Sequence, residues 1–401
     1  MKKRTLKPYD FSLIIVYIAL CLFGLVMIFS ASMVTSVQVL EYDYDHFFKS
    51  QLRNILIRFF SYFFVAAVIP YKFYKNKLVL KLIFFGTIAA LFAVKIIGVE
   101  VNGAKSWLDL YVMNVQPSEF AKLAVILYLA SVYSKKQSYI NDMNRAIMPP
   151  LIMLVLLAGL VILEPDFGTG MIILATGGSV ILCSGMSGKN IFKILSLCAL
   201  SIGGIITYLY VTTGSVFTGE KGSRITTYLD PFAYAQGDGY QTVNSLLAIG
   251  SGGISGLGLG KSVQKLGYLP EPHTDFIMAI ISEELGILGV SIVLLGIFYI
   301  VFKGFYIALK IHDRMGAMIA VGISSMIGFQ SFINLGGVTN LIPLTGVPLP
   351  FISYGGTSIL LLSISMGILV NISMSMRSYE RKKKKGHTSH SSNERSYENH
   401  A

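Results

Sequence analysis

The sequence predicts an all-α polytopic membrane protein, with ten transmembrane helices and a large extracellular loop between spans seven and eight. Of its 401 residues, 53% are hydrophobic and 13% are charged, whereas a soluble domain carries about 25% charged residues. Apolar runs such as residues 11–31 are long enough to cross a hydrocarbon core of about 30 Å. Lys and Arg are concentrated in alternate connecting segments. These observations exclude a soluble globular protein.

Ten apolar segments define the predicted spans, and the first has no small-residue cleavage site, so it is interpreted as a retained span. The segments cover residues 11–31, 52–70, 80–98, 117–134, 147–163, 167–185, 190–212, 276–302, 315–335 and 355–376. Residues 1–376 therefore form one membrane domain, in which 213–275 is the large extracellular loop. Residues 377–401 are polar and basic, and we expect a disordered cytoplasmic tail.

Basic residues give the expected orientation. One set of connecting segments carries Lys72, Lys75, Lys77, Lys135 and Lys136, as well as the tail sequence "RKKKK", while the opposite loops are nearly free of basic residues. By the positive-inside rule, both termini then lie in the cytoplasm and the loop 213–275 lies outside. The localisation expected from this pattern is the cytoplasmic membrane.

Charge and cysteine usage exclude two other classes. The formal net charge is +12, but its distribution is an orientation signal with some attraction to anionic lipid, so no nucleic-acid partner is predicted. Cys21, Cys183 and Cys198 lie within apolar runs, and their spacing fits neither a metal site nor a disulfide framework.

Charged residues near the outer edge of the spans form the candidate site. Glu119 and Lys122 lie one helical turn inside span four, and the hairpin "LEPDFGTG" places Asp166 at the same edge. Lys105 lies in the preceding external segment, and Asp275 stands where span eight begins. Charged residues are rare in such positions and usually functional. We therefore expect these five side chains to converge on one outward-facing cavity.

Each candidate also has a structural interpretation. Trp107, the only tryptophan, fits an interfacial anchor. Glu119 and Lys122 have the i,i+3 spacing of a neutralising pair. Asp166 could cap span six, and Asp275 could favour the positive end of the helix that follows it. The presence of all of them at one edge favours a site over five separate structural roles.

Two irregular segments and two acidic residues are less easily explained. Residues 248–270 are glycine-rich but lack the spacing of a P-loop, and we interpret them as a flexible cover over a headgroup. Residues 340–358 contain three prolines and three glycines and therefore predict an irregular backbone. Such a backbone is tolerated near the membrane only where protein or a water-filled cavity supplies hydrogen bonds to its N–H and C=O groups. Glu283 and Glu284 lie deeper in span eight, a position that fits a glutamate facing a water-filled groove.

Five motifs read together resemble the SEDS family (shape, elongation, division and sporulation), which includes FtsW, RodA and SpoVE. In family order they are "VNGAKSWLDL", "QPSEFAK", "EPDFGTG", "YLPEPHTDFIMAIISEELG" and "PLTGVPLPFISYGGTS". The stretch "KSVQKLGYLPEPHTDFI" is more similar to FtsW than to RodA. Met278 and Ser282 stand where other residues are commoner in the family.

The resemblance implies a peptidoglycan glycosyltransferase that joins lipid II, an undecaprenyl-pyrophosphate-linked disaccharide-peptide, into glycan strands outside the cytoplasmic membrane. It implies that Asp275, in "HTDF", is catalytic. The substrate-binding candidates that accompany it are Lys105, Trp107, Glu119, Lys122, Asp166, Arg224, His273 and Ser353. FtsW-like members act with a class B penicillin-binding protein, so a role at the division septum with other division proteins is expected.

The chemistry of this reaction fits the residues. An aspartate can accept the proton of the acceptor hydroxyl, which typically contributes about 10²–10⁴-fold. Lys122, Lys105 and Arg224 can stabilise charge on the leaving pyrophosphate. No cofactor is certain from the sequence; a divalent cation, Mg²⁺ or Mn²⁺, could assist, although the sequence shows no ligand set for it. A helix N-terminus lowers the pKa of Asp275 whereas burial raises it, and the sequence leaves the sum open.

Alternative functions remain at this stage. A lipid II flippase or other transporter would also use ten spans with charged residues, although its site is expected near the bilayer midplane. A scaffold that recruits division proteins through the basic tail is a third class. Within the family, an elongation role like that of RodA or a sporulation role like that of SpoVE remains open.

Overall fold

The computed structural model describes residues 8–38, 43, 45–101, 104–109, 114–213 and 226–398. The helices, numbered here in chain order, are α1 (Phe11–Gln38), α2 (His46–Val68), α3 (Lys77–Ile97), α4 (Pro117–Lys135), α5 (Met148–Ile162), α6 (Phe167–Leu182), α7 (Gly188–Thr213), α8 (Tyr240–Gly252), α9 (Ile277–Lys310), α10 (Arg314–Val338) and α11 (Thr357–Glu398). Each of the ten predicted spans corresponds to one helix, and α8 lies within the large loop.

The helices have the length and composition of membrane spans. Seven segments of the described chain are long and apolar enough to cross a membrane. They comprise α1, α2, α3, α9, α10, the first part of α11, and α5 together with the π-helical turn Met143–Ile147 before it. The helix α6 is apolar but shorter. The predicted fold class, an all-α polytopic membrane protein, is therefore confirmed.

Polar residues between the apolar runs determine where helices begin. Asn76 Oδ1 accepts the backbone N–H of Leu78 at 2.9 Å before α3. Asp313 Oδ2 accepts that of Gly316 at 3.0 Å before α10. Pro117 occupies the first turn of α4, where its missing N–H costs no hydrogen bond. These caps satisfy the donors that the first helical turn leaves free.

The helix α10 lies at the centre of the bundle, in contact with α4, α6 and α9. Glycines bring these helices close together: a Cβ added at Gly322 would lie 2.6 Å from Ile126 Cγ2, and one at Gly304 would lie 1.8 Å from Ser324 Oγ. Small residues allow such close approach of helices in membranes. Five polar side chains along α10 are buried in the bundle: Ser324, Ser325, Gln330, Ser331 and Asn334.

A small antiparallel sheet connects α3 to α4. Its strands lie in the order β1 (Val99–Val101), β2 (Ala104–Asp109) and β3 (Asn114–Val115). Trp107 pairs with Val99, and Leu108 pairs with Val115. The sequence predicts only a loop here, because strands this short leave no recognisable pattern. The end of the bundle that carries this sheet, where α4, α6 and α9 begin, is called the Asp275 end below.

The last helix is longer than the predicted span. The backbone of α11 is helical to Glu398, which differs from the expectation of a disordered tail from residue 377. Extending an existing helix needs no new nucleation, and Lys, Arg and Glu are good helix formers, so the polar segment can continue the helical conformation.

Candidate active site

The loop between α10 and α11, residues 341–356, lies at the centre of the Asp275 end and is called the central loop. Its conformation is fixed from within: Leu349 N–H donates to Ser353 Oγ at 2.8 Å, and Ser353 N–H donates to Leu349 O at 3.2 Å. Gly346 has a φ of +69°, a conformation that residues with a Cβ rarely adopt. The irregular backbone foreseen for 340–358 is thus an ordered loop.

Asp275 stands beside this loop, just before α9. Asn334 Nδ2 of α10 donates to Asp275 O and to Val347 O, both at 2.8 Å, and so joins the two segments. A Cβ added at Gly346 would lie 3.7 Å from Asp275 Oδ2. The carboxylate therefore meets bare backbone. A narrow groove lies there, too small to admit a water molecule, and it is lined by Asp275, Ile333, Asn334, Gly337, Val338, Leu344, Thr345, Gly346 and Val347.

Burial decides the acidity of this carboxyl group. Burial raises the pKa of Asp275 above its ordinary value, and the hydrogen bond from Thr274 Oγ1, at 2.7 Å, lowers it only in part. Burial and the nearby Asp275 charge also raise the pKa of Glu271. The sequence left open whether the helix N-terminus, which lowers the pKa of Asp275, or burial, which raises it, has the larger effect. In the structure burial has the larger effect, and the carboxylate is more basic than usual.

A buried ion pair lies under the central loop. Lys122 Nζ is 2.8 Å from Glu119 Oε1 and donates to Gln330 Oε1 at 2.9 Å. Gln330 Nε2 in turn donates to Pro348 O at 3.0 Å. The side chains of Lys122 and Glu119 are only 2% and 3% exposed. The pair therefore supports the central loop through Gln330, and contact of Lys122 with phosphate stays a prediction.

Asp166 connects the start of α4 to the start of α6 at the corner where these two helices meet. Its Oδ1 accepts the N–H of Thr169, which makes it the N-cap of α6. Its Oδ2 accepts hydrogen bonds from Gln116 Nε2 and Ser118 Oγ, both at 3.1 Å. The capping interpretation of Asp166 is confirmed, and the residue also fixes the start of α4.

Glu164 in the same corner was not foreseen as a site residue. Its side chain is buried, and neither carboxyl oxygen has a hydrogen-bond partner among the described residues. Burial, followed by the charge of Asp166, raises the pKa of Glu164 to about 8. Ser106 Oγ of β2 donates to Glu164 O at 3.0 Å, which attaches the sheet to this corner.

His273 and Ser353 are both buried. The His273 ring packs against Phe47 and Tyr354, with centroid distances of 4.3 and 5.5 Å, and these two rings also contact each other at 5.2 Å. Burial lowers the pKa of His273 to about 4, so its imidazole is neutral near pH 7. Tyr354 N–H donates to His273 O at 2.8 Å, which attaches the central loop to the Asp275 segment. Substrate contact for His273 and Ser353 stays a prediction.

The remaining candidates lie at the periphery or outside the description. On β2, Lys105 is exposed and Trp107 is half-buried. Arg224 lies outside the described residues. Of the five residues expected to converge, Asp275 lies beside the central loop, and Lys122 with Glu119 is connected to it through Gln330. Asp166 joins the starts of α4 and α6, and Lys105 lies on the exposed sheet.

The deeper acidic residues do not belong to this groove. Glu283 and Glu284 accept hydrogen bonds from residues 262–265 and from Ser30. The glycine-rich segment is consequently bonded to α9, and its interpretation as a flexible cover is wrong. Within the described part of the chain, no group of three or more His, Cys, Asp or Glu side chains is placed to hold a metal ion.

Sequence reasoning missed Gln330 and Asn334. Both are amides, spaced i,i+4 on α10, and both bond backbone carbonyls of the central loop. The signal was present in "FQSFINLGG", where two amides interrupt an apolar span on one helical face. Neutral amides stand out less in an apolar span than charged residues do, so this pattern gives a weaker signal.

The fold and the site define a polytopic helical membrane protein with a half-buried carboxylate on a loop-lined groove at one end of its bundle. The family profile described as "Cell cycle protein", which unites FtsW, RodA and SpoVE, matches residues 11–378. The chain belongs to this family, and the resemblance drawn from its motifs is confirmed.

Individual relatives cover nearly the whole chain. The chain is 49% identical over 385 residues to a protein of Bacillus subtilis named probable peptidoglycan glycosyltransferase FtsW, covering 96% of this chain and 95% of the relative. It is 38% identical to stage V sporulation protein E of the same organism, over 91% of this chain and 96% of the relative.

Solved structures share the fold. One belongs to a peptidoglycan synthase complex that coordinates polymerisation and crosslinking, with a TM-score of 0.73 at 21% identity, over 92% of this chain and 98% of that one. Another is the rod shape determining protein RodA of Thermus thermophilus, with a TM-score of 0.62 at 23% identity, over 91% and 96% of the two chains.

Proposed function

We propose that this protein is a peptidoglycan glycosyltransferase that polymerises lipid II into glycan strands. The observation that carries the proposal is Asp275, a half-buried carboxylate of raised pKa that borders a groove lined in part by Gly337 and Gly346. The name of the Bacillus subtilis relative, at 49% identity, supports the same reaction class.

In the proposed reaction Asp275 is the general base. The acceptor sugar hydroxyl attacks the anomeric carbon of the donor, the bond from that carbon to the pyrophosphate oxygen breaks, and the hydroxyl proton passes to the Asp275 carboxylate. A raised pKa makes the carboxylate a better proton acceptor near neutral pH. His273 is neutral near pH 7 and cannot stabilise the charge of the leaving pyrophosphate, so this role falls to other cations.

Lys105 and Arg224 are the candidates for that second role. Lys105 is exposed on the sheet at the Asp275 end, where a headgroup can reach it. Lys122 is buried against Glu119 and Gln330, and in this proposal it maintains the central loop. Trp107 and Asp166 would border the headgroup site beside Lys105.

The cellular setting follows from the same proposal. Both termini would be cytoplasmic, the Asp275 end would face outwards, and a class B penicillin-binding protein would crosslink the strands at the division septum. A cysteine at Gly237, introduced by Gly237→Cys, should react with an impermeant reagent in intact cells. A tail cysteine should react only after lysis, and the reverse pattern would contradict this orientation.

The function is tested with purified protein and labelled lipid II, with and without the cognate class B protein. We expect glycan strands resolved on a gel from wild type, and none from Asp275→Asn at equal expression and thermal stability. Absence of polymer from wild type in both conditions, together with lipid II translocation in liposomes, would instead favour the flippase function.

A further inference from the structure

A buried polar cluster lies away from the groove, where the glycine-rich segment meets α1 and α9. It consists of Ser30, Ser262, Lys265, Glu283 and Glu284, and is called the Lys265 cluster. Lys265 Nζ is 2.7 Å from Glu284 Oε1 and donates to Ser30 Oγ at 3.0 Å. Ser30 Oγ also lies 2.7 Å from Glu284 Oε1. All five side chains are buried.

The second glutamate of the cluster binds backbone. Glu283 Oε1 accepts the N–H of Val263 at 2.9 Å, and Glu283 Oε2 accepts the hydroxyl of Ser262. In the other direction, Leu257 N–H donates to Glu283 O and Gly258 N–H donates to Glu284 O, both at 2.9 Å. The two glutamates therefore hold the segment from residue 257 to 265 by side chain and backbone together.

Glycines permit this contact because the two backbones nearly touch. A Cβ at Gly252 would lie 1.9 Å from Ser282 O, and one at Gly256 would lie 2.3 Å from Glu284 O. On the α9 side, Gly286 has a φ of +60° within a kink, and its Cβ would lie 2.5 Å from Ile254 O. The fit between the segment and the kinked helix thus depends on glycine at these positions.

The cluster lies at the base of the loop that carries Asp275. The chain leaves Lys265, forms the turn Leu269 N–H to Gln264 O at 2.8 Å, and reaches Asp275 ten residues after Lys265 before it enters α9. Glu283 lies eight residues beyond Asp275, about 12 Å along the helix at 1.5 Å per residue. Residues 265–275 therefore form a closed loop with both ends on α9.

We propose that Lys265, Glu283 and Glu284 are positioning residues for the reaction: by holding the base of the loop 265–275 on α9, they determine where the Asp275 carboxylate stands in the groove. The proposal rests on the proposed function. None of the three borders the groove, so they act through the loop and not on the substrate. A displacement of about 1 Å at a reacting group can cost about 10²-fold in rate.

A double-mutant cycle on the buried pair tests this role. Lys265→Met and Glu284→Gln each leave one polar partner buried without its counterpart, whereas the double variant removes both charges. We expect each single variant to lose about 10²-fold in kcat, with KM for lipid II changed by less than about twofold. The double variant should recover at least tenfold over the worse single variant.

Hydrogen exchange supplies a readout that does not depend on activity. We expect peptides covering residues 254–275 to lose amide protection in both single variants and to regain part of it in the double variant. The matched control is Lys75→Met, which breaks an ion pair of the same 2.7 Å length to Asp313 at the opposite end of the bundle. It should change neither kcat nor exchange at 254–275.

The outcomes separate this inference from the proposed function. Single variants with wild-type kcat and wild-type protection overturn the positioning role. A lower kcat in the singles with no recovery in the double also contradicts it, because the pair then does not act as a unit. Wild-type protein that makes no polymer contradicts the proposed function, while the exchange measurement still decides whether the cluster holds the loop.

Discussion

Two carboxyl groups at the Asp275 end lack the paired cation that two carboxyl groups at the opposite end of the bundle have. At the end away from Asp275, Asp313 pairs with Lys75 at 2.7 Å and Asp10 pairs with Arg377 at 2.7 Å. At the Asp275 end, Asp275 bonds a hydroxyl, and Glu164 bonds nothing among the described residues through its carboxyl group. At the end away from Asp275 the two aspartates join helices through ion pairs, whereas at the Asp275 end two carboxyl groups have no paired cation.

The pKa directions follow this difference. Burial raises the pKa of Asp10 and of Asp313, but hydrogen bonds and the facing cations outweigh it, so both values are lowered. For Asp275 and Glu164 no hydrogen bonds or cations outweigh the effect of burial, and both pKa values are raised. A carboxyl group that is buried without a cation suits proton transfer, whereas a paired one suits structure.

Asp10 shows how much the opposite end depends on pairing. Its side chain is completely buried, and besides Arg377 it faces Lys303 Nζ at 3.7 Å and the Ser373 hydroxyl at 3.2 Å. These contacts join the start of α1 to α9 and α11. Arg377 also donates to Tyr9 O at 2.9 Å. The cluster therefore connects the N-terminal part of the membrane domain to its C-terminal helix.

The largest expected effect on stability comes from the buried pair at the Asp275 end. Lys122→Met leaves Glu119 without its cation, and Glu119 Oε2 has no hydrogen-bond partner among the described residues. We expect a loss of about 3–5 kcal/mol in the free energy of unfolding. Thermal unfolding of the purified protein measures it.

The control for that prediction is the double variant Lys122→Met with Glu119→Gln, which removes both charges. It should be more stable than Lys122→Met alone. If the single variant unfolds at the wild-type temperature, the ion pair does not support the central loop.

The second prediction concerns the pH dependence of the reaction. A general base must be ionised, so the rate falls as pH falls through the raised pKa of Asp275. The acidic limb of the kcat profile should therefore lie above the ordinary aspartate value of about 3.9. A rate that stays constant down to that value would show that burial does not govern this carboxyl group.

The third prediction concerns Glu164. Its pKa is raised from 4.5 to about 8, so the folded protein retains a proton that the unfolded chain releases, and stability falls as pH rises from about 4.5 to about 8. Glu164→Gln removes this loss. We expect its Tm to exceed that of wild type above pH 8 and to match it near pH 4.5. A Tm difference that does not vary with pH would contradict the assignment.

The smallest effect is expected at the opposite end. Asp313→Asn retains an oxygen that can cap α10 but loses the ion pair with Lys75. The Asp313 side chain is 28% exposed and the Lys75 side chain is 41% exposed. Exposed pairs of this kind contribute about 1 kcal/mol or less. Equilibrium unfolding should show a change of that size, and a loss as large as that of Lys122→Met would erase the contrast between the two ends.

The sequence predicts the helical framework better than the contacts at the site. Apolar runs of about 20 residues can be recognised without knowing what they touch, so all ten spans have a helical counterpart. Asp275 and the pair Glu119–Lys122 were found because charge is rare in such runs.

The rest of the site depends on partners far apart in the chain. Gln330 bonds the carbonyl of Pro348 across a turn of the chain, and Lys265 meets Ser30, 235 positions away. A side chain that bonds a distant backbone group or hydroxyl leaves no periodic pattern. This is why Lys265 was predicted to lie in a flexible external loop although it is buried.

The measurement that tests the central claim most directly compares Asp275→Asn with Asp313→Asn. Both substitutions remove one negative charge and keep the side-chain volume, one beside the groove and the other in a structural pair at the opposite end. Gel-resolved glycan from labelled lipid II, with the cognate class B protein present, is measured at equal amounts of folded protein. The account predicts loss of polymerisation by at least about 10²-fold for Asp275→Asn and a wild-type rate for Asp313→Asn. Wild-type polymerisation by Asp275→Asn, or an equal loss in both variants, would contradict it.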